Sequence, residues 1–142
     1  MQDLNTAKLL LEREALTCAL VLESRVHIST HRGVRPLLDC LDSGVDFRGY
    51  SAADKVIGKA TAFLYVLLGV RAVYARTVSR SAAAVLAQYG IALEYGTMVE
   101  AIANRDRTGF CPMESAVRNI DDPREAHQAV LDTLKRLQGG TS

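Results

Sequence analysis

Two stretches of this sequence carry residue types able to do chemistry. One is Asp54-Lys55-Val56-Ile57-Gly58-Lys59; the other runs from Asn104, Arg105, Asp106, Arg107, Thr108 and Gly109 to Cys111-Pro112-Met113-Glu114. Lys55 and Lys59 are spaced as one helical turn, with Gly58 between them. Like charges at this spacing repel, and a glycine inside a helix costs about 1 kcal/mol against alanine, so something should compensate. An anionic ligand held between the ammonium groups, close to the backbone where Gly58 lacks a side chain, would do so. Helix statistics favour the plainer explanation, a solvated face on which Gly58 admits a neighbouring element. The ligand-binding candidates are Asp54, Lys55, Gly58, Asn104 and Arg105.

In the second stretch, Pro112 at a first helical position makes Cys111 the N-cap, where the helix dipole and free N–H groups favour a thiolate. Glu114 then falls at the third helical position, from which its carboxylate can bond back to the cap backbone. Arg105, Asp106 and Arg107 precede it on a polar loop pivoting at Gly109, a common setting for function. The catalytic candidates are Cys111 as nucleophile, Lys59 as electrostatic partner, and Asp106 or Glu114 as acid or base. The alternative is a small apolar cysteine and a glutamate that only caps.

Metal chemistry lacks its ligands. The histidines are His27, His31 and His127, no CxxC occurs, and no cysteine pair joins them at zinc-site spacing. No cofactor is expected. Cys18 and Cys40 sit in apolar surroundings and read as core. Glycine-rich phosphate loops and the GxSxG elbow are absent.

The elements that must position these residues form one domain over 1–142. A chain of 142 residues buries roughly two-thirds of its unfolded surface. Hydrophobic residues at 49% and charged residues at 23% are ordinary for a globular domain. A net charge of +1, from 17 basic and 16 acidic residues, gives no field for nucleic acid or an acidic membrane. The longest apolar run, Ala60 to Val70, is too short to span a bilayer. The N-terminus has no secretory pattern and the cysteines are odd in number, so a cytoplasmic location and free thiols are expected.

Helical spacing predicts a helix over 3–14, and apolar then alternating residues predict a hairpin of 16–22 and 26–30. A short helix follows Pro36. The capping-box spacing of Ser51 and Asp54, followed by Val56, Ile57, Ala60, Phe63, Leu64, Leu67 and Leu68, predicts a helix from Ser51 to Gly69, buried along one face. A strand over 71–78, a helix over 81–89, a strand over 91–95, a helical turn or two over 97–103, a segment from Pro112 and a helix from Pro123 complete the order. The result is an α/β fold with a mixed four- to five-stranded sheet covered by helices.

Arg32-Gly33-Val34-Arg35-Pro36-Leu37-Leu38, Asp54-Lys55-Val56-Ile57-Gly58-Lys59-Ala60 and Asn104-Arg105-Asp106 to Cys111-Pro112-Met113-Glu114 resemble a bacterial family known only as a domain of unknown function. The similarity covers nearly the whole chain. The resemblance implies a cytidine-deaminase-like fold, a three-layer α/β/α sandwich. It also shows what is missing. Active zinc deaminases carry H-x-E at one helix start and P-C-x-x-C at the next. Here Gly58-Lys59-Ala60 stands in the first place, and Cys111-Pro112-Met113-Glu114, with a single cysteine, in the second. Deamination by zinc-activated water is therefore not expected. The shared fold would still bring Lys55, Lys59, Cys111 and Glu114 to one pocket.

Three functions compete. A binding module holds a small anionic, nucleotide-like or phosphorylated molecule through Lys55, Lys59 and Arg105. A cysteine-dependent enzyme acts on a small metabolite through Cys111. A structural protein assembles as a homodimer through an apolar surface such as that of the last helix. Binding stands slightly ahead because no complete catalytic set can be named, and fold analogy alone does not give function.

Overall fold

The computed structural model describes residues 2–13, 15–31, 33–102 and 111–138. Among them the order is α1 (Gln2–Arg13), β1 (Cys18–Leu22), β2 (Arg25–Ser29), α2 (Arg35–Asp42), β3 (Ser51–Ile57), α3 (Lys59–Leu68), β4 (Ala72–Ser79), α4 (Arg80–Gln88), β5 (Ala92–Val99), α5 (Pro112–Val117) and α6 (Pro123–Gln138). The sheet runs β2-β1-β3-β4-β5. β1 pairs antiparallel with both β2 and β3, whereas β3, β4 and β5 are parallel, joined through α3 and α4. It is the expected mixed sheet, with five strands.

The two faces of the sheet are covered unequally. Leu4, Ala7 and Leu11 of α1 pack on Ala19, Val21, Ala53 and Ala72 on one face. The larger core lies on the other, where Leu20, Ala52, Val73, Ala75 and Val78 meet α2, α3 and α4. The α5–α6 pair packs on α3 and places Val117, Ala126 and Val130 in the same core. Thus α3 is enclosed by the sheet and by helices. Ala60 through Tyr65 are all buried, not one stripe of them, as suits a helix apolar nearly all round. Its Phe63 and Leu64, at 1% and 0% exposed, each contribute about 2 kcal/mol of burial free energy.

Two predicted helices are strands here. Ser51 to Ile57 is the central strand, bonded to β1 on one side and to β4 on the other. The helix-forming run Ala52-Ala53-Asp54-Lys55 is overridden by pairing on both sides, and its alanines give α1 and α3 room to approach. The helix therefore starts at Lys59, not Ser51, so Lys55 and Lys59 do not share a helical face. Likewise, the turns expected over 97–103 are replaced, up to Val99, by the end of β5, which continues the parallel pairing Thr77–Thr97 and Ser79–Val99.

Gly69 ends α3 in the left-handed conformation, φ 77°, its N–H donating to the Tyr65 and Val66 carbonyls. At the start of α6, Asp122 accepts from the Glu125 N–H at 2.9 Å, as Asp-Pro spacing predicts. No helix among the described residues is long and apolar enough to cross a membrane.

Ser79 ends β4 and caps α4, its buried hydroxyl accepting from the Ala82 N–H at 3.2 Å. Ser79→Ala leaves that N–H without its acceptor in a dry environment, and we expect a loss of about 1 kcal/mol in a urea melt with an unchanged slope.

Candidate functional site

The parallel strands β3 and β4 need a helix between them, and that helix begins immediately after Ile57. Its first N–H groups have no intrahelical partners. Gly58, the N-cap, has extended backbone and no side chain with which to cap. Glu114 supplies the cap from 55 residues away: Oε1 accepts from the Lys59 N–H at 2.7 Å and Oε2 from the Ala60 N–H at 3.0 Å. The glycine is what allows this approach. A Cβ on Gly58 would stand 2.5 Å from the Glu114 Cδ, well inside contact distance. Glu114 thus does not bond back to its own helix start, as its sequence position predicted. Its carboxylate is spent on α3, where the positive end of the helix dipole favours it.

Around this cap lies a cavity of about 340 Å³. Asp54, Lys55, Gly58, Cys111 and Glu114 all line it, so the two motif stretches meet. Val34, Pro36, Val56, Ile102 and Met113 make much of the remaining wall apolar. Lys59, expected in the same pocket, does not line this cavity: its backbone N–H is bonded to Glu114 and its ammonium donates to the Arg118 carbonyl at 3.1 Å. The two lysines therefore do not grip one ligand between them. Asn104, Arg105 and Asp106 lie outside the described residues.

Cys111 is the N-cap of α5, with its N–H donating to the Ile102 carbonyl at 3.2 Å, and makes no side-chain capping bond. Among the described residues no group of three or more His, Cys, Asp or Glu side chains is arranged to hold a metal.

Behind the cavity wall Asp54 is backed by Tyr65, not singled out in the sequence, and by Cys18, read there only as core. The Tyr65 hydroxyl, reaching from α3, donates to Asp54 Oδ2 at 2.7 Å, and the Cys18 Sγ lies 3.3 Å from the same hydroxyl. With the tyrosine proton committed to Asp54, the thiol donates to the phenol oxygen. Burial pushes the Asp54 carboxyl up to about 7, against the lowering effect of the Tyr65 bond and of the Val56 and Lys55 N–H groups. Burial, with the nearby Asp54 charge second, also raises the Tyr65 phenol and the Cys18 thiol well above their ordinary ranges. The Cys40 thiol is pushed up to about 11, again chiefly by burial. Cys18 and Cys40 are core thiols, as expected. The signal for Tyr65 was present: a hydroxyl in an otherwise apolar buried helix requires a partner.

Two outcomes follow. Glu114→Ala removes both caps and should cost about 1–3 kcal/mol. Gly58→Ala should cost a similar amount alone but much less in the Glu114→Ala background, a non-additivity that a double-mutant cycle of urea melts reads directly. For Asp54, the folded carboxyl titrates above its unfolded value. The folded state binds the extra proton from about pH 4 to 7, so this group's contribution to stability falls as pH rises through that window. Asp54→Asn, which keeps an acceptor for Tyr65, should melt near wild type at about pH 4 and several degrees above it at about pH 8. Parallel melting curves at all pH values would contradict the assignment.

In structure, the chain is similar to a DUF1893 family protein from Thermotoga maritima, with TM-score 0.83 and 26% identity over 92% of this chain and 89% of that one. Weaker likenesses are a dCMP deaminase from the cyanophage S-TIM5 (TM-score 0.47, 16% identity, 66% of this chain and 94% of that one) and a Thermotoga maritima protein. The latter, a diaminohydroxyphosphoribosylaminopyrimidine deaminase/5-amino-6-(5-phosphoribosylamino)uracil reductase, matches at TM-score 0.42 and 12% identity over 88% of this chain and 35% of that one. No curated protein matches. The family described as TM1506, domain of unknown function (DUF1893), matches residues 6–134, and the chain belongs to that family.

Proposed function

We propose that this protein binds a small nucleotide-like molecule in the Asp54 cavity without transforming it. The observation that carries the reading is the position of Asp54: a carboxyl held from behind by Tyr65, at the wall of a cavity of about 340 Å³ that is otherwise largely apolar. That volume lies within the range of small-molecule sites, and an apolar wall with a few placed polar groups is their usual composition. A flat heterocycle fits such walls, and its N–H groups would donate to Asp54. An anionic group on the same ligand would lie toward Lys55, the lysine that lines this cavity. The start of α3 is not its anchor, because Glu114 already occupies those N–H groups.

A second reading is favoured by one observation, that Cys111 lines the same cavity as Asp54. In it the thiol is the nucleophile of an enzyme acting on the bound molecule. Cys111→Ser distinguishes the two, since binding would survive it and turnover would not.

A thermal-shift screen of nucleosides, nucleotides and phosphorylated metabolites tests the proposal. A ligand at 100 times its Kd adds about 2.7 kcal/mol, a readily visible rise in Tm. The ligand-induced rise should shrink in Asp54→Asn and, for anionic ligands, in Lys55→Met. Equal rises in wild type and both variants would place the ligand elsewhere, and a blank screen would count against a binding role.

A further inference from the structure

Two threonines line the Asp54 cavity, and only one of them is satisfied by the protein. The Thr17 hydroxyl lies 3.1 Å from the Ser29 carbonyl and 2.5 Å from the His31 carbonyl, so its single proton is committed to the backbone. Thr61, at 8% exposed, has a hydroxyl with no hydrogen-bond partner among the described residues. A threonine in a helix commonly returns its hydroxyl to a carbonyl one turn back, and this one does not. Nor is its oxygen sealed in the core: among the described residues Ser51 has the one side-chain oxygen that is both shut off from solvent and unpaired. The little access that Thr61 keeps is to the cavity it lines. A hydroxyl in such a place is costly, because it gives up water and gains no bond in return. Valine has the same shape and much the same helix propensity, and would avoid that cost.

The position of Thr61 relates it to Asp54. It stands four residues before Tyr65 on α3, so the two side chains are neighbours on one helix face. Tyr65 marks that face as the one turned to β3, since it donates to Asp54 Oδ2 at 2.7 Å. Thr61 lies one turn nearer the carboxyl end of β3, the end at which parallel sheets ordinarily take their ligands. Both oxygens of Glu114, the other acid lining the cavity, are bonded to the start of α3. Asp54 is less fully used: a carboxylate has about four acceptor sites, and it retains capacity after its bonds to Tyr65 and the Val56 N–H. A free hydroxyl donor and a carboxylate acceptor thus share one stretch of wall.

We propose that Thr61 is a specificity-determining residue of this cavity, its hydroxyl donating to a ring carbonyl of the bound molecule while Asp54 accepts from the ring N–H beside that carbonyl. The ligand is then an oxo-heterocycle with a cyclic-amide edge, as in uridine or inosine. This rests on the binding role proposed for the cavity and adds which edge of the ligand is read. A carbonyl oxygen has two lone pairs and accepts over a broad range of directions, so it can meet a hydroxyl fixed on a helix wall.

Uridine and inosine are the probes, with 3-methyluridine and 1-methylinosine, in which the ring N–H is blocked, as controls. Calorimetric titration of the full chain should show saturable binding of uridine or inosine, and at least tenfold weaker binding of the methylated counterpart. Thr61→Val should bind the same probe about tenfold more weakly, yet melt at or above the wild-type Tm without ligand, whereas Thr61→Ser should keep most of the affinity. Affinity lost with stability kept is a combination that a structural hydroxyl would not produce. Three results would overturn the proposal: a ligand-free Thr61→Val that melts several degrees below wild type, unchanged probe affinity in Thr61→Val, or binding of cytidine or adenosine in preference to uridine and inosine. If Asp54→Asn still weakens nucleoside binding in those cases, the binding role survives and only the part given to Thr61 falls. Absence of binding by every nucleoside would remove both.

Discussion

The contact on which the rest of this structure depends is the carboxylate of Glu114 against the start of α3. That helix is the packing centre of the larger core, enclosed by the sheet and by α4 and α6, so its first N–H groups cannot all rely on water. Gly58 cannot cap them, having no side chain, yet only a residue without one leaves room for a carboxylate from elsewhere. The bond therefore answers two needs together. It satisfies buried donors and fixes α5, which carries Cys111, against the mouth of the cavity. It also settles the electrostatics. A helix start is ordinarily an invitation to an anion, and here the chain supplies its own.

The sequence was informative about which residues gather and poor about how. Gly58 and Glu114 both stood out, Gly58 as a costly residue in a supposed helix and Glu114 as a capping residue. Both judgements were right in kind, since Gly58 does admit a close neighbour and Glu114 does cap a helix. What local patterns could not show is that each is the other's partner, because 55 residues separate them. The misplaced helix start has a similar cause. Ser51 to Lys55 has good local helix credentials, and only pairing with β1 and β4 makes it a strand. Once Lys55 belongs to a strand, the supposed lysine clamp comes apart. β5 was cut short for the same reason, its parallel partner being invisible in its own residues. Elements whose signal is local, α1, the β1–β2 hairpin, α2 and the Asp122-capped α6, were legible to within a few residues.

The polar chain Cys18–Tyr65–Asp54 was not legible as a unit, because its members come from β1, α3 and β3 and each looks ordinary alone. Its arrangement nevertheless follows from simple constraints. A tyrosine facing the sheet from a buried helix must find an acceptor, and the central strand offers one in Asp54, at the boundary between core and cavity. The carboxyl is thereby held from the protein side at both oxygens, Oδ2 by Tyr65 and Oδ1 by the Val56 N–H at 3.4 Å, where it lines the cavity.

The length of the Glu114 bond has a consequence for how the chain acquires its structure. Contacts between residues far apart in sequence form late, because the intervening loop must first close. As the chain leaves the ribosome, β1 to β5 emerge before residue 114 does. Until then the central helix has an unsatisfied start and lacks the cover that Ala126 and Val130 of α6 will give. The sheet can be drafted early, but its central helix is locked only by α5 and α6, which follow β5 in the chain. A chain cut short after β5 would thus display the most apolar helix of the molecule, a feature by which quality control could tell unfinished copies from finished ones.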